Sequence, residues 1–222
     1  MSTRKPLENT CSPDAFRLLK QWLDGCVQEH DGCRRTLSGE LLRPGDQILP
    51  CSRIIDVSPQ DHPEIPRLVE TKGQTTGRWV ALSHCWGEVH PITTTKATLQ
   101  QRLKAIPLES LEDPKPKTFI DAVVITKCLD LRYLWIDSLC IIQDDTDDWG
   151  GGSVRMGQIY GRAHLTIAAS QAYDTRFGCF FKRTYPPNLT PTVSLPFFVP
   201  IMTAAGEVRS MKAASSFSVN ID

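Results

Sequence analysis

The chain lacks an excess of either charge: 25 Lys and Arg face 25 Asp and Glu in 222 residues. That removes the bulk electrostatic argument for nucleic acid or an anionic membrane surface as a partner. It also lacks long apolar runs. Stretches such as LCII and LPFFVPIM fall far short of the ~20 residues a membrane helix needs, so no membrane partner is expected. The opening MSTRKPLENTCSPD holds no apolar segment of the secretory type, and no signal peptide is expected. Cysteine is thin, eight in the whole chain, too few for a disulfide scaffold. Cys128 and Cys140 sit inside apolar runs, which predicts reduced, buried thiols and a cytoplasmic location. There is no internal repeat.

What is present suits a globule. Hydrophobic residues make up 41%, enough to bury a core at this length. Residues 13–30 carry Phe16, Leu19, Leu23, Cys26 and Val27 at helical spacing, with Pro13 or Asp14 placed to start the helix. Residues 31–78 mix Gly and Pro with short β-like runs, QILPCSRIIDV and RLVE, which predict a hairpin or two. RWVALSHCW then reads as a buried strand. TTTKATLQQRLKAI reads as a short helix begun by threonine caps, with Leu99, Leu103 and Ile106 inward. After a proline linker, TFIDAVVITKCLDL predicts a stronger helix capped by Thr118. RYLWIDSLCII predicts the second core strand and QDDTDDWGGG an acidic, glycine-rich loop. SVRMGQIYGRAH predicts a helix and LTIAAS a third core strand. Continuously apolar strands alternating with helices argue for an α/β fold with a mostly parallel sheet flanked by helices. Beyond residue 183 the pattern decays into an extended or poorly ordered tail. The expected division is a helical and β leader over 1–78, a main domain over 79–183 and a tail over 184–222.

Both inner strands end in reactive groups. WVALSHCWG finishes in Ser83, His84, Cys85, Trp86 and Gly87; YLWIDSLC finishes in Asp137, Ser138 and Cys140, followed by Gln143, Asp144 and Asp145. In open α/β sheets ligands sit beyond the carboxyl ends of the strands. Two strands ending this way predict one shared pocket. The plainer alternative is that the Asp caps a turn and the His packs beside the Trp.

Three segments together, WVALSHCWG, PLES…KTFIDAVVITKCLDLRYLWIDSLCIIQDDTDDW and RMGQIYGRAHLTIAAS, resemble the heterokaryon incompatibility (HET) domain of filamentous fungi. WLDGCVQEHDGC and LPCSRIIDV resemble the leader often found before it. The resemblance implies a role in nonself recognition and programmed cell death, acting through protein partners or self-association. It further implies a remote kinship with TIR domains, and so a sheet of TIR or flavodoxin type. Some TIR domains cleave NAD, which makes NAD the implied substrate; no cofactor is called for. If the chain is catalytic, Asp137 and His84 would act near the ribose. Ser83, Trp86, Gly87, Ser138 and Trp149 would contact the nucleotide, the two tryptophans as stacking surfaces. One position departs from the family pattern of Asp-Trp, two residues, Glu-Ser. Here the run is DDWGGGSVRM, and Gly152 occupies the glutamate slot. A glycine can neither take a proton nor stabilise an oxocarbenium-like centre. Either Asp147 or Asp148 substitutes, or the chain is a non-catalytic assembly module or a degenerate, truncated copy.

Other chemistries have weaker signals. His84 and Cys85 are strand neighbours and point to opposite faces, so they cannot pair as base and nucleophile; His84 with Cys140 across strands remains open. Cys26, His30 and Cys33, with Cys51, could hold zinc, but tight Cys-x-x-Cys pairs are lacking, and no metal site is expected. Asp144, Asp145, Asp147 and Asp148 lack calcium-loop spacing and suit the start of the following helix. WGGGS could cradle a phosphate, yet lacks the Lys-Ser/Thr ending of a P-loop.

Overall fold

The structure is a computed structural model that describes residues 7–30, 35, 47–88, 91–110, 114–183, 197–202 and 208–213. It divides into two compact units. The larger, Cys11–Phe181, opens with α1 (Pro13–Glu29), where Ser12 is the N-cap and accepts the Ala15 amide at 3.2 Å. Next come β1 (Arg53–Asp56), β2 (Arg67–Glu70) and β3 (Trp79–Ser83). These are followed by α2 (Leu99–Lys104), α3 (Lys117–Cys128), β4 (Tyr133–Trp135), α4 (Asp137–Cys140), α5 (Thr146–Gly161) and β5 (Leu165–Ala168). In the smaller unit, β6 (Phe197–Met202) and β7 (Val208–Ala213) pair antiparallel, where the sequence predicts only extended or poorly ordered chain.

The sheet is mixed, with strand order β2-β1-β4-β3-β5. The expected mostly parallel sheet is corrected here. β3 runs parallel to both β4 and β5, whereas β1 is antiparallel to both β2 and β4. The physical reason lies upstream: β1 and β2 form an antiparallel pair that adds to the open edge of β4. The three strands taken as the core are parallel to one another. The fold is therefore α/β with a five-stranded mixed sheet and helices.

Burial explains the order. All four residues of β1 are buried, and so are Trp79, Val80, Ala81 and Leu82 of β3. β5, at the other edge, alternates between half-buried and exposed, as an edge strand should. Helix α3 buries Thr118, Phe119, Ala122, Val123 and Thr126. It closes where Asp130 takes a left-handed conformation (φ 57°) and the Leu131 amide bonds back to the Thr126 carbonyl at 3.1 Å, a C-terminal arrangement that Asn and Asp tolerate.

Four local expectations are revised. RYLWIDSLCII is a strand only over Tyr133–Trp135; the chain then turns into α4, because Asp137 accepts the next amide, Ser138, at 2.7 Å. Thr118 is no cap: it lies inside α3, buried, and accepts the Gly178 amide at 3.1 Å. Helix α2 begins at Leu99, and its N-cap Thr98 makes no side-chain capping bond. The glycine run is helical from Thr146 onward, since the Asp145 carboxylate accepts the amides of Asp147 and Asp148. That cap and the acidic first turn offset three glycines that each cost about 1 kcal/mol relative to Ala.

No helix among the described residues is long and apolar enough to cross a membrane. Of the zinc set, Cys33 lies outside the described residues, Cys26 is half-buried and Cys51 is buried in the core. Among the described residues no three His, Cys, Asp or Glu side chains gather as a ligand set.

Candidate functional site

β3 lies between two parallel neighbours and carries buried side chains up to Leu82, so whatever follows is delivered to the rim by a rigid element. Ser83 is exposed, and its carbonyl still accepts the Ala169 amide at 2.9 Å. The chain then leaves the sheet. His84 turns inward, its side chain only 1% exposed, with its ring edge-on to Phe119 at 5.0 Å. Gly87 reverses the chain with φ +66°. A Cβ there would lie 2.5 Å from the Asp174 Cβ and 2.6 Å from the Tyr173 carbonyl oxygen.

The two strand ends meet at Asp137. Its Oδ1 accepts the Ser138 amide at 2.7 Å, and its Oδ2 accepts the Trp86 indole Nε1–H at 3.0 Å. The His84 Nδ1 stands 3.8 Å from Oδ1, too far for a hydrogen bond and close enough for strong electrostatic contact. The carboxylate remains 19% exposed. The short α4 that carries it is strapped from two sides. Thr94 donates its amide to the Ser138 carbonyl at 2.9 Å and its hydroxyl to the Leu139 carbonyl at 2.6 Å. Gln143 gives its side-chain amide to the Asp137 and Ile141 carbonyls at 3.2 and 3.1 Å. From α5, the Tyr160 hydroxyl donates to the Leu82 carbonyl at 3.1 Å. Burial, and then the charge of Asp137, push that phenol upward, so it stays protonated.

Burial lowers the His84 pKa below its ordinary value of 6.5, and the nearby Asp137 charge opposes this only in part. The imidazole is therefore neutral at pH 7, and its Nε2 is buried without a hydrogen-bond partner. The stability consequence has a definite sign. Between the folded value and 6.5 the unfolded chain binds more protons. Stability is then full above about pH 7 and falls as the pH drops below 6.5. The half-buried His164, also lowered by desolvation, adds in the same direction. Thermal melts at pH 7.5 and 5.5 should show a lower midpoint at pH 5.5, and a smaller difference in His84→Gln. An equal difference in both proteins would remove His84 from this account.

The structure thus joins His84, Trp86 and Asp137, with Ser138 contributing its amide while its hydroxyl is buried without a partner. Trp149 stands apart. It is 55% exposed on the first turn of α5 and, among the described residues, makes no hydrogen bond or ring contact with this cluster. Phe119, Tyr160 and Thr94 belong to the site's support and were not singled out from the sequence. Helical spacing marks the first two only as inward-facing.

The acidic loop is structural. Asp144 accepts the Lys96 amide at 2.7 Å, Asp145 caps α5, and Asp148 binds Arg53 and the Ile142 amide. Asp148 is thus tied through its Oδ2 to Arg53 and Ile142, and Asp147 is exposed. Cys140 is buried with its thiol pushed up by desolvation, which makes it a poor nucleophile. At Gly152, a Cβ would meet the Ile141 Cδ1 at 2.7 Å; the place where a glutamate would begin is filled by an isoleucine.

The family model of the heterokaryon incompatibility protein (HET) matches residues 79–194, just over half of the chain. The chain belongs to the HET family. The match starts at β3 and spans both strand ends that build the Asp137 cluster, so the cluster is a feature of the HET region of this chain. No curated protein and no solved structure matches the chain.

Proposed function

We propose that this HET protein is an effector or regulator of fungal nonself recognition and programmed cell death, acting in the cytoplasm, with the Asp137 cluster as its ligand centre and the nicotinamide ribose of NAD as the group received there. The observation that carries this reading is the Asp137 carboxylate, held by the Ser138 amide and the Trp86 indole at the carboxyl ends of parallel strands. The parallel β4-β3-β5 core supports the TIR-like kinship.

The chemistry follows from the charge. When the bond from ribose C1′ to the pyridinium nitrogen breaks, its electron pair leaves with neutral nicotinamide, and positive charge develops on the ribose. A fixed carboxylate stabilises that charge. Water then bonds to C1′ and releases a proton, which the 19% exposed Asp137 carboxylate can accept, while His84, 1% exposed, backs that carboxylate from inside. Without a second carboxylate at position 152, turnover is slow.

Incubation of the purified protein with NAD tests this. Slow nicotinamide release is expected, reduced at least about 100-fold in Asp137→Ala. Release that is unchanged in Asp137→Ala overturns the assignment.

A second reading, a non-catalytic assembly module, is favoured by Ile141 filling the space beside Gly152. No nicotinamide release, together with concentration-dependent self-association in sedimentation, would establish it.

A further inference from the structure

Asp137 presents a charge at the rim that no permanent cation balances. Its carboxylate is tied by two neutral donors, the Ser138 amide at 2.7 Å and the Trp86 indole N–H at 3.0 Å. Among the described residues the one basic group within ion-pair distance of it is His84, whose Nδ1 stands 3.8 Å from Oδ1. At that separation the pair makes no hydrogen bond. A proton on the ring would nevertheless set opposite charges side by side where water and salt screen them little.

The surroundings of the ring favour its neutral form. The His84 side chain is 1% exposed, lies edge-on to Phe119 of α3 at 5.0 Å and leaves Nε2 with no hydrogen-bond partner. Desolvation opposes the charged ring, and the charge acting in its favour is that of Asp137. The other titratable groups that feel Asp137 are Tyr160 of α5 and Cys140 of α4, and burial keeps both protonated and uncharged. The cluster therefore has two charge states. With the ring neutral it carries a net negative charge at the rim; with the ring protonated that charge is cancelled from within.

We propose that His84 is a proton switch on the charge of this site: neutral, it leaves the Asp137 carboxylate free to hold a cationic ligand; protonated, it neutralises that carboxylate and the ligand is released. The ligand is a compact organic cation of the pyridinium kind, and in this the proposal rests on the reading of Asp137 as the ligand centre. The histidine is a positioning residue that sets the field of the carboxylate without touching the ligand.

The probe is the N-methylpyridinium cation, whose methyl carbon stands where C1′ would. Its affinity for the full chain is measured by isothermal titration from pH 7.5 to pH 5, with circular dichroism confirming the fold at each pH. Binding weakens roughly 10-fold or more on acidification. By reciprocal linkage the probe moves the His84 ring titration, read by proton NMR, to lower pH by the same factor. His84→Gln, uncharged throughout, removes the pH dependence. Should His84→Gln fail to fold, the native ring titration is compared with that of Asp137→Asn, in which loss of the carboxylate charge moves it to lower pH. A pH dependence of equal size in folded His84→Gln overturns the switch, as does a ring titration indifferent to Asp137→Asn. Absence of binding at pH 7.5 overturns instead the reading of Asp137 as a centre for cations.

Discussion

Trp79→Ala should cost about 3–5 kcal/mol of folding stability and lower the melting midpoint by roughly 6–20 °C. Trp79 opens β3, is 1% exposed and is among the largest fully buried side chains. Its removal opens a cavity under β3 that a sheet hydrogen-bonded on both sides cannot collapse to fill. It also removes the indole N–H that reaches the Ile159 carbonyl of α5 at 3.0 Å. Trp79→Phe separates the two effects, because it keeps most of the volume and loses only the bond, at about 1–3 kcal/mol. Urea unfolding of the three proteins measures both. A loss below 1 kcal/mol for the alanine variant would mean that α5 does not rest on this residue.

Gly87→Ala should cost about 2–5 kcal/mol from two sources: the left-handed backbone at φ +66°, worth about 1–2 kcal/mol for a residue with a Cβ, and overlap with Asp174 and the Tyr173 carbonyl, worth about 1–3 kcal/mol. The carbonyl is backbone and cannot swing away as a side-chain tip could. The same change should move Trp86 off Asp137, since Gly87 fixes where the preceding residue points. Tryptophan fluorescence and unfolding free energy should therefore change together. A variant as stable as the native chain with unaltered emission would show that the turn can be made another way.

How much of this was legible follows from particular residues. The three apolar strands were readable because Trp79–Leu82, Leu134 and Trp135, and Ile167 lie in runs with few polar interruptions. Their parallel pairing was readable from the intervening helices. The place of β1 was not, because RIID gives no sign of its neighbour. Arg132, donating to both Asp56 oxygens at 3.1 Å, joins the strand pairing that fastens β1 beside β4. The meeting of His84 with Asp137 was legible as two strand ends. The indole bond from Trp86 was not, because it depends on a reversal at Gly87 whose direction only the packed Tyr173–Asp174 segment decides. The helix through Gly150, Gly151 and Gly152 was hidden by propensity, which Asp145 overrides from one position upstream.

The antiparallel attachment of Arg53–Asp56 to Tyr133–Trp135 also bears on where this molecule can be cut. A piece that began at the first residue of the family match would bare one whole side of β4, a raw backbone margin flanked by Leu134 and Trp135. Such margins recruit foreign strands. The antiparallel β1–β2 pair upstream of the family match is thus the guard rail of that margin.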